Sequence, residues 1–311
     1  MRVFDGHCDT ISRFLKTGET LQKTSGHWSL DKAKTFTSWA QFFAAYHGQP
    51  QRPEQSQFPI FLTQEALLKK EIKANANDMA FCTTAKGCWA AWEAGKVAAF
   101  LSVEGAELLD CDLDKLRTAW GLGVRAVNLT WNYPNVLSGT NLMETDRGLS
   151  DRGRDFVREM NKLGVIVDVS HLSDPGFWDV VRLTQAPIMA SHSNSRPLCS
   201  HPRNLTDDQF TAIMEGQGVV GLNMAAQFLP GDPTLDDLVR VLEHFLDLGG
   251  EDTVALGGDW DGIERAPAGV ADITAWATFY DRLKGLGYSQ DLLDKLFYKN
   301  LMRVVEQVCF T

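Results

Sequence analysis

Short runs of apolar residues recur along the chain and alternate with segments of helical spacing. Most of these runs lack the alternation of apolar and polar side chains that marks a half-exposed strand, which predicts strands buried on both faces, as in parallel sheets. Eight such strands are predicted, at residues 2–9, 38–46, 96–104, 123–131, 164–171, 186–192, 218–224 and 253–259. Helical patterns lie between the later strands, at residues 113–122, 150–163, 175–183, 206–215 and 235–248.

Eight strands alternating with helices in 311 residues predict an α/β fold, a (β/α)8 TIM-like barrel. The long segment 59–94 has helical spacing, and residues 271–310 have a helical pattern that would complete the outer ring. No repeat, low-complexity tract or linker divides the sequence. Residues 1–311 are therefore predicted to form a single catalytic barrel domain with C-terminal helices.

The amino-acid composition argues against some classes of binding partner. Hydrophobic residues make up 44% and charged residues 23%, as in ordinary globular enzymes. A net charge of −10 argues against nucleic acid, because phosphate backbones require clustered Lys and Arg. No apolar run is long enough to cross a membrane, and no secretory signal is evident. The six cysteines follow no disulfide framework, so we expect reduced thiols, no membrane partner and a cytoplasmic protein.

Side chains that bind metals or transfer protons stand at the ends of five predicted strands. They are His7 and Asp9, Glu104, His171, His192 and Asp259. In a (β/α)8 barrel the carboxyl ends of all strands meet at one mouth, where active sites lie. Taken singly, each histidine could be a satisfied buried side chain, and Glu104 with Gly105 could be only a turn. Together, three of the seven histidines fall at predicted strand ends, which favours one shared site.

The number of ligands indicates more than one ion. A catalytic zinc takes three protein ligands and keeps one position open, so these residues are too many for a single zinc. They suit two ions about 3.5–4 Å apart, bridged by a carboxylate, that activate a water between them. Asp259 lies in a glycine-rich turn, 257–262, and is the additional group that could accept the proton of that water. Asp261, two residues on, is expected to cap backbone N–H groups.

These segments resemble the membrane (renal) dipeptidase family, peptidase family M19, which belongs to the amidohydrolase-like barrels. The resemblance covers almost the whole chain in order and spacing, and rests on His7-Cys8-Asp9, Val103-Glu104-Gly105, Asp168-Val169-Ser170-His171, Ser191-His192-Ser193-Asn194 and Gly258-Asp259-Trp260-Asp261-Gly262. It implies a dipeptidase with two Zn²⁺ per chain. One zinc would be held by His7, Asp9 and Glu104, and Glu104 would bridge to a second zinc on His171 and His192.

The resemblance also implies roles for two further residues. Asp259 takes the position of the family's catalytic aspartate, and Arg203 matches the arginine that binds the substrate's C-terminal carboxylate. A guanidinium group suits that task because it pairs with a carboxylate through two parallel hydrogen bonds. Without the resemblance, Arg203 would be interpreted as part of a surface salt bridge. Family members often have broad dipeptide specificity and form homodimers.

One position departs from the mammalian pattern. Mammalian members carry a histidine after the Leu-Thr of the fourth strand that contacts the substrate carbonyl. Here Leu129-Thr130 is followed by Trp131 and Asn132, a pair that a bacterial branch of the family shares. The scissile carbonyl would then be polarised by metal alone or by Asn132. Because the mammalian secretory signal, lipid-anchor tail and implied disulfides are also missing, an intracellular bacterial enzyme is expected.

Two other functions are compatible with the same residues. One is a different amidohydrolase reaction on the same metals: hydrolysis of a lactone, an N-acyl amino acid or a phosphoester. The other is a non-catalytic descendant that binds a small peptide or a metal. Dependence on the substrate's carboxylate would distinguish a dipeptidase, because only a dipeptidase needs Arg203 to find its partner.

Overall fold

The structure, a computed structural model, describes residues 1–50 and 54–310. Within these residues the strands are β1 (Arg2–Cys8), β2 (Ser38–Tyr46), β3 (Met79–Phe81), β4 (Val97–Glu104), β5 (Val124–Asn128), β6 (Ile166–Asp168), β7 (Met189–Ala190), β8 (Val219–Leu222) and β9 (Val254–Leu256). All pairs between these strands are parallel.

Eight of these strands form a closed ring. Going round the barrel, the order is β1, β2, β4, β5, β6, β7, β8 and β9, and β9 pairs with β1 to complete the circle. The predicted (β/α)8 barrel is therefore confirmed. All eight residues of β4 are buried, as expected for a strand covered on both faces.

The helices surround the ring. Their bounds are α1 (Thr10–Thr17), α2 (Leu30–Ala33), α3 (Phe58–Ala74), α4 (Ala85–Glu93), α5 (Leu113–Gly121), α6 (Asp151–Leu163), α7 (Asp174–Leu183), α8 (Asp207–Glu215), α9 (Leu235–Asp247), α10 (Ala275–Gly285), α11 (Gln290–Asp294) and α12 (Asn300–Val308). Ser150, Ser173 and Thr206 begin α6, α7 and α8 by accepting a backbone N–H with the side-chain oxygen. A π-helical turn, Lys295–Lys299, joins α11 to α12.

The interpretation of residues 59–94 as one helical segment was wrong. Asn75 ends α3 by accepting the N–H of Asp78 and Met79 with its carbonyl oxygen, and the chain then enters β3. β3 pairs with Val97–Ala99 at the beginning of β4, whereas Leu101–Glu104 pair with β5. A three-residue strand is too short for a periodic signal, which is why the sequence pattern hides it.

Several strands are shorter than predicted at their carboxyl ends. The predicted strands 164–171, 186–192 and 253–259 end at Asp168, Ala190 and Leu256. His171 and Asp259 adopt left-handed backbone conformations, with φ of 74° and 57°, which an extended strand cannot contain. These side chains therefore lie on loops just beyond the strands.

Aromatic residues fill part of the barrel below the mouth. Phe4 stacks on Phe42 and Phe100 with ring centroids 5.7 and 5.3 Å apart. All three are fully buried and belong to a core cluster that α12 also joins, through Leu301 and Val305. This packing holds β1, β2 and β4 together a few residues before His7 in β1 and Glu104 in β4.

Candidate active site

The carboxyl ends of β1, β4, β6 and β7 bring the predicted ligands together. One oxygen of Glu104, Oε1, lies 3.0 Å from Nε2 of His171, 3.4 Å from Nε2 of His192 and 3.6 Å from Nε2 of His7. Asp9 Oδ2 lies 3.5 Å from the same nitrogen of His7. None of the five side chains exceeds 6% exposure. Four strand ends therefore supply one buried cluster of nitrogen and oxygen donors.

The cluster fits divalent metal ions. Zinc bonds of about 2.0–2.2 Å place two ligands of one tetrahedral ion roughly 3.3–3.6 Å apart, close to the spacing around His7. His7 Nε2 and Asp9 Oδ1 are buried, and neither has a hydrogen-bond partner within the described residues. Buried polar atoms without partners are costly, and a cation between them would satisfy both.

Hydrogen bonds at the far side of two imidazole rings set their orientation. Nδ1 of His171 lies 2.9 Å from Oδ1 of Asn132, and Nδ1 of His192 lies 2.7 Å from Oγ of Ser191. With the proton on Nδ1, each ring directs its Nε2 lone pair into the cluster, which is the arrangement a metal requires. Asn132 therefore contacts a predicted ligand directly.

Burial and neighbouring charges prepare the histidines for a metal. Burial and the positive charges of Arg203 and His7 hold the pKa of His171 and His192 well below the usual value, so both rings are neutral. Burial opposes protonation of His7 as well, but the carboxylates of Glu104 and Asp9 prevail and raise its pKa. Burial raises the pKa of Glu104 to about 7. A metal ion would take the place of the protons on His7 and Glu104, because its ligands must be an unprotonated nitrogen and an ionised carboxylate.

Asp259 faces the cluster from the turn after β9. One of its oxygens lies within 4.8 Å of donor atoms of His7 and Asp9. Asn223, from the end of β8, donates its side-chain N–H to Oδ2 of Asp259 at 3.2 Å. Burial raises the pKa of Asp259, and the nearby charge of Asp9 adds to the increase. A carboxylate that is positioned by a hydrogen bond and has a raised pKa is suited to accept a proton.

Asp261 has a different task. Its Oδ1 accepts the backbone N–H of His27 at 2.6 Å, and its Oδ2 accepts the hydroxyl of Thr10 at 2.6 Å. The backbone N–H of Asp261 donates to Nδ1 of His27 at 2.9 Å. As the sequence predicted, this aspartate caps backbone groups. It fastens the loop after α1 to the turn that carries Asp259.

Arg203 lies inside the site and not on the surface. It is 3% exposed, and its Nη2 lies 3.0 Å from Nε2 of His171. The guanidinium carbon stacks 5.4 Å from the ring centre of Phe228. Its other two donor nitrogens, Nε and Nη1, are buried and have no hydrogen-bond partner among the described residues. The interpretation as a surface salt bridge was wrong, because no carboxylate of the described chain forms an ion pair with it.

A cavity of about 480 Å³ opens above the cluster. Its wall combines charged, polar and aromatic side chains: Asp9, Ser12, Arg13, Lys16, Thr17, Tyr46, Glu104, Trp131, Asn132, Leu142, His171, His201, Arg203, Gln227, Phe228, Asp259, Asp261 and Gly262. His7 and His192 lie beneath it, each at most 1% exposed. A cavity of this volume can enclose a small molecule.

Sequence reasoning missed the residues that hold the site together. Asp5 is fully buried, and its carboxylate accepts the backbone N–H groups of His7 and Gly258 and the indole N–H groups of Trp260 and Trp276. It ties the end of β1 to the turn after β9. Asp5 lies two residues before His7 in the same strand, and this spacing could have indicated from the sequence that Asp5 belongs to the site. The contact of Asn223 with Asp259 has no such signal, because the two residues are far apart in sequence.

The fold and the cluster define a metal-dependent hydrolase of the (β/α)8 class. The chain belongs to the membrane dipeptidase family, peptidase family M19, whose model matches residues 1–311. A solved metallopeptidase from Rhodobacter sphaeroides, liganded with a phosphinate mimic of the dipeptide L-Ala-D-Ala, superposes with a TM-score of 0.91 at 31% identity and covers 99% of both chains.

Two further proteins are similar to most of this chain. The solved dipeptidase AC, a metallopeptidase of family M19, has a TM-score of 0.91 at 32% identity and covers 100% of this chain and 99% of its own. An uncharacterised Klebsiella pneumoniae protein encoded in the pqqA 5′ region is 35% identical over an alignment of 261 residues, and the match covers 80% of this chain and 96% of that protein. None of the helices in residues 1–50 and 54–310 combines the length and apolarity that a membrane span requires.

Proposed function

We propose that this metallopeptidase is a binuclear zinc dipeptidase that recognises its substrate by the free C-terminal carboxylate. The observation that carries the proposal is the state of Arg203: a buried guanidinium beside the donor cluster with two unsatisfied donors, Nε and Nη1, within the described chain. A buried guanidinium with free donors is suited to bind a carboxylate through charge-assisted hydrogen bonds. A dipeptide is the substrate class whose carboxylate lies one residue from the scissile bond.

The residues that would hold the zinc ions are those of the cluster. His7, Asp9 and Glu104 would bind one, His171 and His192 the other, with Glu104 shared. When bound, the ions polarise the scissile carbonyl and lower the pKa of the attacking water. His171 and His192 stay neutral in this role because burial and Arg203 disfavour their protonation.

The remaining steps belong to the protein's own side chains. Asp259, held by Asn223, accepts the proton of the attacking water and passes it to the leaving amine. Arg203 fixes the C-terminal carboxylate and so places the peptide bond over the cluster. Asn132, whose Oδ1 lies by His171, donates its amide N–H to the scissile carbonyl oxygen. The sequence-based expectations of a cytoplasmic location and a homodimer remain part of the proposal.

The test is a set of dipeptides assayed with and without a chelator. The ligand of the Rhodobacter sphaeroides relative mimics L-Ala-D-Ala, which supports including D-residues at the C-terminal position. Free dipeptides should be hydrolysed, and the chelated protein should be inactive. C-terminal amides of the same dipeptides should be poor substrates. Equal turnover of a dipeptide and its amide would contradict the role of Arg203, and turnover of lactones or phosphoesters alone would favour another amidohydrolase reaction.

Substitutions of Arg203 test its role in binding the substrate carboxylate. Arg203→Ala should cost about 2–4 kcal/mol of transition-state binding on free dipeptides, on the scale of a buried charged hydrogen-bonded pair. Arg203→Lys should recover little of this, because an ammonium group cannot reproduce the planar fork. The amides serve as the control, since their turnover should depend little on residue 203.

A further inference from the structure

One wall of the cavity carries a cation that the proposed reaction does not use. Helix α1 begins directly after Asp9, and its residues Ser12, Arg13, Lys16 and Thr17 line the cavity. Because residues three and four apart share one face of a helix, these side chains form a continuous strip above the donor cluster.

The two cations of this strip are in different states. Arg13 donates an N–H from Nε to the carboxylate of Glu19 at 3.0 Å and one from Nη2 to the hydroxyl of Ser25 at 2.8 Å, so its charge is already balanced. Lys16 makes no ion pair and no side-chain hydrogen bond within residues 1–50 and 54–310. Burial lowers the pKa of His47, and the positive charge of Lys16 adds to the decrease, so the field of Lys16 reaches a neighbouring side chain. Lys16 is therefore the uncompensated charge on this wall.

The order of strands indicates which end of a dipeptide bound by Arg203 would face Lys16. In the eight-strand ring, β1, which leads into α1, stands opposite β6, which leads into His171. Arg203 lies against His171. A dipeptide with its carboxylate on Arg203 and its scissile carbonyl over the cluster extends its amino-terminal residue toward the opposite wall, which is α1.

We propose that Lys16 selects dipeptides whose amino-terminal residue has an acidic side chain. The inference rests on the proposed dipeptidase function and adds the substrate class. A glutamate or aspartate side chain at that position would pair with the Lys16 ammonium at the mouth. The α-ammonium group of the same residue would face the carboxylates of the cavity floor, Asp9 and Asp259.

A competing explanation assigns Lys16 a structural role only. Lys16 lies in the last turn of α1, where a cation stabilises the helix dipole. A purely structural lysine would affect the free energy of unfolding and would not change the ratio of turnover between an acidic substrate and its amide analogue. That ratio is therefore the quantity to measure.

The experiment compares kcat/KM for Glu-Ala, Gln-Ala, Ala-Glu and Ala-Gln with the zinc-loaded enzyme at low and high salt. Glu-Ala should exceed Gln-Ala by about two- to fivefold, the scale of one partly exposed ion pair, and the ratio should fall as salt rises. Lys16→Gln should reduce the ratio to about one, and Lys16→Arg should keep it. Lys23→Gln, at an exposed lysine outside the cavity, is the matched control and should leave the ratio unchanged.

Three results would overturn the inference while the dipeptidase stands: equal turnover of Glu-Ala and Gln-Ala, a ratio that survives in Lys16→Gln, or a preference confined to Ala-Glu over Ala-Gln. Failure to hydrolyse any of the four dipeptides would instead overturn the proposed function on which the inference rests.

Discussion

At the scale of single residues, the turn after β9 separates two aspartates by their hydrogen bonds. Asp259 receives one side-chain donor, from Asn223, and faces the cluster, whereas Asp261 is taken up by Thr10 and the backbone of His27. Asp259→Asn should lower kcat by about 10²–10⁴, the usual contribution of a positioned general base. Bound metal should stay near the wild-type level, as measured by elemental analysis.

Asp261→Asn is the matched variant. It removes a capping charge two residues away, so it should reduce the melting temperature more than it reduces kcat. If Asp259→Asn were active while metal-loaded Asp261→Asn was inactive, Asp261 would be the general base and Asp259 the capping residue. If both variants kept full activity, the proton would have to leave by another route.

A buried acid next to the site should make the stability of the protein depend on pH. Glu107 is 2% exposed, accepts one N–H from Asn135 at 2.9 Å, and has a pKa raised to about 7 by burial. Because the folded state binds this proton more tightly than the unfolded state, the contribution of Glu107 is fully present below about pH 4.5 and is lost as the pH rises through about 7.

Glu107→Gln imitates the protonated carboxyl group and should abolish this dependence. Between about pH 5 and pH 8, the free energy of unfolding of the wild type should fall relative to that of the variant by about 2–3 kcal/mol. Urea denaturation at both pH values measures the difference. A constant difference between the two proteins would show that the pKa of Glu107 is the same in the folded and unfolded states.

At the scale of elements, the sequence pattern predicted the ring strands well and their ends poorly. Continuous apolar runs such as β4 are visible because both faces are buried. Some predicted strands extended too far, because a polar side chain at the strand end accepts backbone N–H groups and ends the strand. Asp168, for example, accepts the N–H groups of Ser170 and Ser191 and so turns the chain out of β6 and β7. The contact with Ser191, 23 residues away, has no local pattern in the sequence.

The turn after β9 also depends on a glycine that the pattern cannot explain. A methyl group on Gly262 would lie 2.1 Å from Oδ2 of Asp9 and 2.6 Å from Oδ1 of Asp259. Gly262→Ala should therefore displace a predicted ligand and the predicted base together. We expect a loss of metal affinity of roughly 10- to 100-fold, the effect of disturbing groups that support a metal site.

Gly121→Ala provides the control for that substitution. Gly121 ends α5, and a methyl group added to it would meet no other atom within 4 Å, so alanine should slightly increase stability there. Metal titration of both variants distinguishes a local effect at the site from a general cost of replacing glycine. Equal metal affinity in the two variants would show that the turn can move aside without disturbing Asp9.

At the scale of the whole molecule, the ligand cluster could be predicted from the sequence because the barrel brings the ends of all its strands to one mouth. His7, Glu104, His171 and His192 are far apart in the chain, yet parallel strands in a closed ring deliver them to one mouth. The same rule could not predict Asp5 or Asn223. Their roles depend on which loops touch, and the ring order alone does not determine that.

Metal removal should affect the entire barrel, because the predicted ligands come from the ends of four strands. Two divalent ions would join β1, β4, β6 and β7 and would neutralise carboxylates that are buried near one another. The zinc-loaded protein should hold two ions per chain and melt well above the chelated protein, by the free energy that binding to the folded state alone contributes. Elemental analysis and thermal denaturation measure the two quantities.

Glu104→Gln tests whether the two sites share a ligand. Since Glu104 Oε1 lies within 3.6 Å of Nε2 in His7, His171 and His192, an amide in its place should weaken both ions together. The variant should also gain less thermal stability from zinc than the wild type does. Loss of a single ion with the other fully retained would contradict a shared Glu104 and would divide the cluster into two independent sites.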